Sequence, residues 1–240
     1  MSKILGLVGY AGAGKDTVAD HLLDCFPGLV RVSFAGKLKE IISGIFDVPL
    51  AHFEDRKLKN AGHPNFSKWF LIKKFGSMEE FSSYLIPVLM ELYDKNVSEV
   101  LTEGLDDNVA YAIYHWIEEG CSPRRACQII GTDILREKID QSTWLNYAER
   151  QIKKVLAEGG SVAISDVRFP NEFELVRRMG GGAWYINRPD VETHEHISES
   201  FFAEMRKECD LELNNDGTID QLKADADQAY VKYFSFPLAA

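Results

Sequence analysis

Short runs of consecutive apolar residues alternate with helical patterns at the two ends of the chain. The first run, KILGLV at residues 3–8, stands before a glycine-rich segment, and Val18 and Leu22 then recur at helical spacing. Apolar runs without alternation are typical of strands buried on both faces of a parallel sheet. Further strand-like runs are LVRVSF (29–34), SVAIS (161–165), AWYIN (183–187) and DLELN (210–214). Both ends therefore predict a parallel α/β fold that closes with a helix around Ile219 and Leu222.

The middle of the chain lacks this alternation of apolar runs and helical patterns. From about residue 50 to residue 120 it is rich in aromatic and charged residues, with helical spacing from Val109 to Ile117. This pattern predicts a mostly helical insertion. The predicted fold class is therefore α/β, with a three-layer parallel-sheet core and one helical insertion. The core comprises residues 1–50 and 141–240, and the insertion comprises residues 51–140.

Composition and charge narrow the classes of partner. The chain has 240 residues, of which 45% are hydrophobic and 27% are charged, as in ordinary globular proteins. The net charge of −10 argues against a surface for DNA or RNA polymers but not against a nucleotide ligand. The four cysteines have no C-x-x-C spacing, which argues against a zinc or redox site, and the amino-terminal apolar run is shorter than a membrane span. We expect a cytoplasmic protein with small-molecule partners, no nucleic-acid polymer and no membrane; homodimer formation stays open.

The segment GYAGAGKDT at residues 9–17 resembles a phosphate-binding loop. Gly9, Gly14 and Lys15 match the pattern G-x-x-x-x-G-K, whereas the usual Ser or Thr is replaced by Asp16. In such a loop the N–H groups face phosphate oxygens, and the lysine reaches the β- and γ-phosphates. The alternative is a strand–helix turn without ligand, but the strand before the loop and the helix after it favour a nucleotide site. The expected nucleotide contacts are Ala11, Gly12, Ala13, Gly14, Lys15, Asp16 and Thr17.

Two carboxylates are candidates for a magnesium site. Asp16 could bind the ion directly or through water, or it could only favour the positive end of the helix dipole. Asp166 ends the apolar strand SVAISD, which has the form of a Walker-B element; its alternative role is to cap the next turn. Arg168 follows at the carboxyl end of this strand, where parallel sheets bind ligands. We predict that Lys15, Asp166 and Arg168 take part in catalysis.

A polar stripe is predicted on the helix that follows Ser122. Arg124, Gln128, Thr132 and Arg136 are spaced by four residues, while apolar residues occupy the other side of the helix. The stripe combines two arginines with an amide and a hydroxyl and contains no acid. It is therefore either a solvated face or a surface for a monophosphate and a base edge, and the periodicity leaves both alternatives open.

Seven segments together resemble the phage deoxynucleoside monophosphate kinases: GYAGAGKDT, VSFAGKLKE, FEDRKLKN, SPRRACQIIGTDILR, STW, SDVRFPNE and LELNNDG. In that family Asp and Thr follow the loop lysine, so Asp16 fits the family pattern. The resemblance implies a P-loop kinase that uses Mg²⁺ and transfers the γ-phosphoryl group of ATP to deoxynucleoside 5′-monophosphates, giving dNDP and ADP. It also implies a lid over about residues 188–205, with Arg188 at the nucleotide.

The resemblance further implies a monophosphate site that includes the helical insertion. Arg56 and Lys59 match a family segment, and the sequence does not decide which of Arg124 and Arg125 contacts phosphate. The residues that would line the site are Phe34, Lys37, Arg124, Gln128, Thr132, Arg136 and Trp144.

Three other function classes fit parts of the pattern. A kinase that phosphorylates another small metabolite would share the phosphate loop, and only the family-like segments argue against it. A GTP-dependent switch is suggested by NRPD at residues 187–190, but Phe169 stands where the switch pattern D-x-x-G requires glycine. A nucleotide-binding module without catalysis would not need both Lys15 and Asp166.

Overall fold

The computed structural model describes residues 3–189 and 201–235. The chain divides into two compact units, of which the first consists of Met1–Phe34 and Ala148–Ala240 and the second of Ala35–Tyr147. The division falls inside helix α9 (Thr143–Ala157). The second unit is longer at both ends than the predicted insertion, because the helix that begins at Gly36 contributes its apolar side chains to the core of that unit.

A five-stranded parallel sheet forms the centre of the first unit, which confirms the predicted α/β class. The strands are β1 (Ile4–Val8), β2 (Leu29–Arg31), β3 (Ser161–Val167), β4 (Gly182–Asn187) and β5 (Leu211–Asn214). Their order is β2-β3-β1-β4-β5, and every residue of β1 is buried. The chain leaves β1 toward one edge and later returns to the other, so the carboxyl end of β1 is the point where a parallel sheet of this kind binds ligands.

Apolar side chains at helical spacing form the buried sides of the helices in the first unit. These helices are α1 (Lys15–Cys25), α10 (Pro170–Arg178), α11 (Phe202–Glu208) and α12 (Ile219–Ser235). Val18 and Leu22 of α1 share an apolar cluster with Leu222 of α12, as their helical spacing predicts. Ile219, which the same pattern places on the core side, is 62% exposed because it opens α12 one turn before Leu222 reaches the core.

The second strand is shorter than the six residues predicted at 29–34. The Val32 N–H still donates to the Ala163 carbonyl at 3.0 Å, but β2 itself ends at Arg31. The Ser33 hydroxyl and the Phe34 N–H donate instead to the carboxylate of Asp166. A side-chain acceptor thus replaces the backbone hydrogen bonds that would continue the sheet. For that reason the predicted end of the strand at residue 34 is wrong.

Strand β3 carries an irregularity where it delivers Ser165 and Asp166. Gly6 pairs with Ile164, and Val8 pairs with Val167, so two steps on β1 are matched by three steps on β3. The extra residue is a bulge, which changes the direction of the side chains beside it. Ser165 is buried and Asp166 is half-buried at this point.

The second unit is helical around its own apolar core. Ser122 and Pro123 open α8 as predicted, because the Ser122 hydroxyl accepts a hydrogen bond from the Arg125 N–H at 3.2 Å. Within the described part of the chain, no helix is both long and apolar enough to cross a membrane. The helices are α2 (Gly36–Phe46), α3 (Ala51–Glu54), α4 (Lys68–Phe75), α5 (Met78–Tyr93), α6 (Val97–Thr102), α7 (Leu105–Trp116) and α8 (Pro123–Cys127), with a 3₁₀ turn at Leu58–Asn60.

After α8 the backbone does not continue as the ordinary helix that the spacing predicts. Residues Gln128–Ile139 form a π-helix, in which each N–H bonds to the carbonyl five residues earlier; the Asp140 N–H ends the series on the Leu135 carbonyl at 3.0 Å. Gly131 lies against Leu38, and a Cβ atom at this glycine would stand 2.2 Å from a Leu38 methyl group. The close approach to α2 therefore requires glycine at this position.

Candidate active site

The glycine-rich segment forms a tight loop between β1 and α1. Gly14 has φ +107°, and a Cβ atom there would stand 2.7 Å from the side-chain nitrogen of Asn215. The same nitrogen donates to the Ala13 carbonyl at 2.8 Å, so Asn215 holds the loop from the β5 side. The first hydrogen bond within α1 runs from Val18 to the Gly14 carbonyl. The N–H groups of Asp16 and Thr17 precede it and have no acceptor in the helix, as a site for anions requires.

Lys15 folds back over the loop. Its ammonium group donates to the carbonyls of Gly9 at 2.6 Å and Tyr10 at 2.8 Å, and the residue is only 8% exposed. Two carbonyl dipoles thus hold the charge at the loop rather than in solvent. This is the place from which a loop lysine reaches phosphate oxygens.

Asp16 and the carboxyl end of β3 are brought together. The buried hydroxyl of Ser165 donates to the Asp16 carboxylate at 3.0 Å, while Asp16 itself is exposed. Thr17 is half-buried on the same turn of α1. Ser165 lies at the irregularity in β3, and its hydrogen bond links the two predicted metal-binding segments.

Asp166 is held by the segment that follows β2. The Ser33 hydroxyl donates to one oxygen at 2.6 Å, and the Phe34 N–H donates to the other at 3.1 Å. Asp166 therefore holds the segment after β2 rather than capping the turn that follows its own strand, and its role toward a metal ion stays a prediction.

Glu172 holds the backbone that follows Asp166. One of its oxygens accepts from the N–H groups of Arg168 at 2.8 Å and Phe169 at 3.1 Å. Burial raises the pKa of the Glu172 carboxyl to about 7, although these two hydrogen bonds act in the opposite direction. The guanidinium group of Arg168 is exposed at the end of β3. Glu172 therefore fixes the main chain from which the predicted catalytic arginine extends.

Arg188 reaches the phosphate loop from the end of β4. Its guanidinium group donates to the Gly12 carbonyl at 3.3 Å. Of the predicted lid at residues 188–205, residues 190–200 lie outside the described ranges, and α11 begins at Phe202. The first unit thus gathers the loop, Asp16, Asp166 and Arg188 at the carboxyl ends of β1, β3 and β4.

In the second unit, the two neighbouring arginines have different surroundings. The Arg125 guanidinium donates to one Glu118 oxygen at 3.0 and 2.6 Å and lies 3.9 Å from Asp133. Arg124 is exposed, and its side chain has neither an ion pair nor a hydrogen bond with any residue in the described ranges. Among the described residues, Arg124 therefore offers a charge that no carboxylate neutralises, whereas the charge of Arg125 is paired with Glu118.

The remaining residues of the polar stripe follow the π-helix. Thr132 is exposed, Gln128 and Arg136 are half-buried, and the Arg136 guanidinium lies 3.7 Å from Glu137. The opposite side packs into the core through Ile129, Ile130, Ile134 and Leu135. The stripe is present as a polar face, although its backbone winds as a π-helix rather than an α-helix.

Other predicted contacts are engaged inside their own units. Lys37 donates to Glu91 at 2.6 Å, and this bond lowers the pKa of the Glu91 carboxyl. The Trp144 indole N–H donates to the Gly131 carbonyl at 2.9 Å. Phe34 is buried and belongs to the first unit, apart from the other predicted monophosphate contacts, which lie in the second. Arg56 is exposed before the 3₁₀ turn that contains Lys59.

Comparison with known proteins places these features in a family. The profile described as deoxynucleotide monophosphate kinase matches residues 77–226, which is more than half of the chain. The chain belongs to the deoxynucleotide monophosphate kinase family. The deoxynucleoside-5′-monophosphate kinase of Escherichia phage T5 is 32% identical over 197 residues, covering 74% of this chain and 72% of that protein. The deoxynucleotide monophosphate kinase of Enterobacteria phage T4 is 25% identical over 236 residues, covering 92% of this chain and 95% of that protein.

A further relative supports the same family. The putative deoxynucleotide monophosphate kinase of Acanthamoeba polyphaga mimivirus is 26% identical over 230 residues, which cover 91% of each protein. The family profile spans the polar stripe, Asp166 and Arg168, but it begins after the phosphate loop. The resemblance found in the sequence is confirmed. Because the profile does not include the phosphate loop, the assignment of that loop in this kinase depends on the geometry of the loop itself.

Three residues that hold this site together were not found from the sequence. Ser165 was seen only as part of a strand, Asn215 only as part of a turn, and Glu172 only as part of a helix. Glu172 had a local signal, because a glutamate two residues after the Pro170 that opens a helix is placed to accept the first free N–H groups. Ser165 and Asn215 had none, because their partners lie far away in the sequence.

Proposed function

We propose that the protein transfers the γ-phosphoryl group of ATP to the 5′-phosphate of deoxynucleoside monophosphates and releases dNDP and ADP. The observation that carries the proposal is the arrangement of Lys15 over the glycine loop beside the Asp16–Ser165 pair, in a chain of the deoxynucleotide monophosphate kinase family. The loop supplies N–H groups and a buried cation, which are the groups that bind nucleotide phosphates.

The donor nucleotide is assigned to the first unit. The loop N–H groups and Lys15 contact the phosphates of ATP, and Arg188 adds a positive charge at Gly12. Asn215 and Glu172 do not contact the nucleotide in this scheme. They hold the loop and the backbone at Arg168, so that binding requires little reorganisation.

The carboxylates beside the loop fit a magnesium ion. Magnesium prefers oxygen ligands and is usually held by one or two carboxylates together with substrate phosphates. Asp16 is exposed and anchored by Ser165, and the Asp166 carboxylate is held at the carboxyl end of β3 by Ser33 and Phe34. When bound, the ion supplies positive charge that offsets the charge of the phosphates.

The acceptor monophosphate is assigned to the second unit. Arg124 binds its phosphate, because its charge has no carboxylate partner among the described residues. Gln128, Thr132 and Arg136 continue the same polar face and supply the amide, hydroxyl and second cation for the rest of the nucleotide. Lys37 and Trp144 support this surface through Glu91 and Gly131.

Positioning and charge account for the chemistry. The acceptor phosphate oxygen is anionic near neutral pH, so no side chain has to remove a proton from it. Lys15 and Arg168 stabilise the charge that moves onto the transferring phosphoryl group and the leaving phosphate.

A coupled ADP-release assay with ATP and each dNMP and NMP tests the proposal. We expect ADP formation that depends on a deoxynucleoside monophosphate and that is lost in Lys15→Met, which keeps the apolar stem of the side chain but removes the charge. The exposed Lys153 of α9 provides the matched control, Lys153→Met, which should retain full turnover. ADP release that no monophosphate stimulates, or that Lys15→Met leaves unchanged, would overturn the assignment.

A further inference from the structure

Three side chains of metal-binding type meet at the end of α1 that lies away from the phosphate loop. His21 and Cys25 stand one turn apart on α1, and Asp227 comes from α12. The His21 Nε2 atom is 2.9 Å from an oxygen of Asp227, and the Cys25 sulfur is 3.7 Å from the same nitrogen. All three donor atoms lie within 4.8 Å of one another.

The two separations that involve the His21 nitrogen are close to those that a tetrahedral zinc ion imposes. Bond lengths of about 2.1 Å to nitrogen and oxygen and about 2.3 Å to sulfur place the donor atoms about 3.4 Å (N to O) and about 3.6 Å (N to S) apart. The nitrogen–sulfur distance of 3.7 Å therefore fits almost unchanged. The nitrogen–oxygen pair must open by about 0.5 Å, which small rotations of two partly exposed side chains allow.

The chemistry of the donor set also favours a borderline-soft divalent ion. Thiolate, imidazole and carboxylate are the ligands of zinc sites, and one thiolate with one carboxylate neutralises a charge of +2. The carboxyl-terminal turn of α1 adds a dipole that attracts cations. Three protein ligands leave the fourth position to water. A hydrogen bond between His21 and Asp227 accounts for that pair, and the helical spacing of four residues brings the Cys25 sulfur beside them.

We propose that His21, Cys25 and Asp227 form a binding site for a zinc-type divalent metal ion that links α1 to α12. The ion takes the place of the proton between His21 and Asp227, so the imidazole carries its proton on Nδ1, and the Cys25 thiol releases its proton on binding. Cysteine spacing alone does not indicate such a site, because the third ligand comes from a helix far along the chain.

The position of the site gives the ion a structural consequence. Helix α1 begins at Lys15 of the phosphate loop, and α12 follows closely after Asn215, which holds the same loop. An ion that joins the carboxyl-terminal end of α1 to the middle of α12 fixes the pair that frames the loop. We expect stabilisation of the first unit rather than a step in phosphoryl transfer.

Cobalt titration of the reduced, full-length protein without a histidine tag tests the proposal. We expect one Co²⁺ per chain, with a thiolate-to-cobalt absorption band in the near ultraviolet that added Zn²⁺ abolishes. At free Zn²⁺ about a hundred times its Kd, the melting temperature should rise by about 5–10 °C. Cys25→Ser should remove the band, and Asp227→Asn should remove most of the thermal shift.

Two matched variants make the test specific. Cys209→Ser removes another thiol of the same unit, and Asp225→Asn removes a carboxylate of α12 that accepts from Gln221 instead. Both should bind Co²⁺ as the unmodified protein does. Absence of Co²⁺ binding, binding without the thiolate band, or a band that Cys25→Ser leaves intact would each overturn the proposal. Circular dichroism of each variant separates a lost site from a lost fold.

Discussion

Three carboxylates near the phosphate loop are held in different ways, and this decides what each can do. Asp16 is exposed and accepts one hydroxyl, from Ser165. Asp166 accepts from the Ser33 hydroxyl on one oxygen and from the Phe34 N–H on the other. Glu172 is only 7% exposed and accepts two N–H groups on one oxygen. The exposed carboxylate is the one best able to exchange water for a metal ion, while the buried one serves the main chain.

Asp16→Asn should lower turnover and raise the magnesium concentration needed for half-maximal turnover. The substitution keeps the size and the acceptor for Ser165 but removes the charge. Thermal stability should change little, since a first-turn carboxylate contributes only about 0.3–1 kcal/mol through the helix dipole. A magnesium titration of turnover at saturating ATP and dNMP measures the effect. Asp16→Ser should retain more activity than Asp16→Ala, because serine restores the hydroxyl of ordinary phosphate loops.

Asp20→Asn is the matched control for Asp16→Asn. Asp20 is also exposed on α1, but its carboxylate pairs with Arg31. Its removal should leave the magnesium dependence unchanged. If Asp16→Asn lowers stability and leaves the magnesium dependence as it was, Asp16 only opens the helix, and the ion must depend on Asp166.

The buried carboxyl of Glu172 should give the protein a distinctive pH dependence of stability. Burial raises its pKa from 4.5 to about 7, so the folded state binds this proton more tightly than the unfolded chain. The contribution of Glu172 to stability therefore falls as the pH rises from about 4.5 to about 7 and is constant above that range. A shift of this size corresponds to roughly 3 kcal/mol at most.

Urea unfolding at pH 5 and pH 8 measures the contribution of Glu172 to the free energy of unfolding as a difference between variants. Glu172→Gln keeps an acceptor for the N–H groups of Arg168 and Phe169 but cannot ionise. The free energy of unfolding of Glu172→Gln minus that of the unmodified protein should therefore be larger at pH 8 than at pH 5. Glu174→Gln, an exposed change on the same helix, should follow the unmodified protein at both values. Parallel curves for all three proteins would show that Glu172 does not titrate in this range.

At the scale of elements, the sequence predicted which segments carry the site better than how their backbones run. The apolar runs located all five strands, and the glycine loop and the SVAISD strand ended at the same edge because parallel strands share their carboxyl ends. The bulge beside Ser165 depends on pairing between β1 and β3, which no local pattern encodes. The π-helix at Gln128–Ile139 likewise has no signal in an apolar spacing that suits an ordinary helix.

The two consecutive arginines at the start of α8 should have different roles: Arg124 binds the substrate phosphate, and Arg125 is structural. Arg124→Ala should raise the KM for dNMP by about 10- to 150-fold, because a charge-assisted phosphate contact contributes about 1.5–3 kcal/mol. The KM for ATP should stay within experimental error. Arg125→Ala should affect neither constant, because its charge is already taken by Glu118. Steady-state kinetics with each substrate varied in turn measures both. Equal effects of the two substitutions would mean that Arg124 has no special role.

At the scale of the whole molecule, the proposed donor and acceptor sites fall in different compact units. Residues from both ends of the sequence meet in the first unit, where Gly12 contacts Arg188 and Ala13 contacts Asn215. The polar stripe lies entirely within the second unit. The net charge of −10 does not argue against the two proposed phosphate sites, because salt screens distant charges and leaves nearby cations such as Lys15 and Arg124 to dominate. This separation implies that each substrate, alone, stabilises its own unit.

Amide hydrogen exchange with one ligand at a time tests that implication. ADP alone should slow exchange in the peptides that contain residues 9–17, because a ligand that binds only the folded form suppresses local opening. A dNMP alone should instead slow exchange in the peptides that span α8 and the π-helix Gln128–Ile139. Lys15→Met should abolish the first effect and keep the second, and Arg124→Ala should do the reverse. Protection of residues 9–17 by a dNMP alone, with none in α8, would show that the loop rather than the stripe binds the monophosphate.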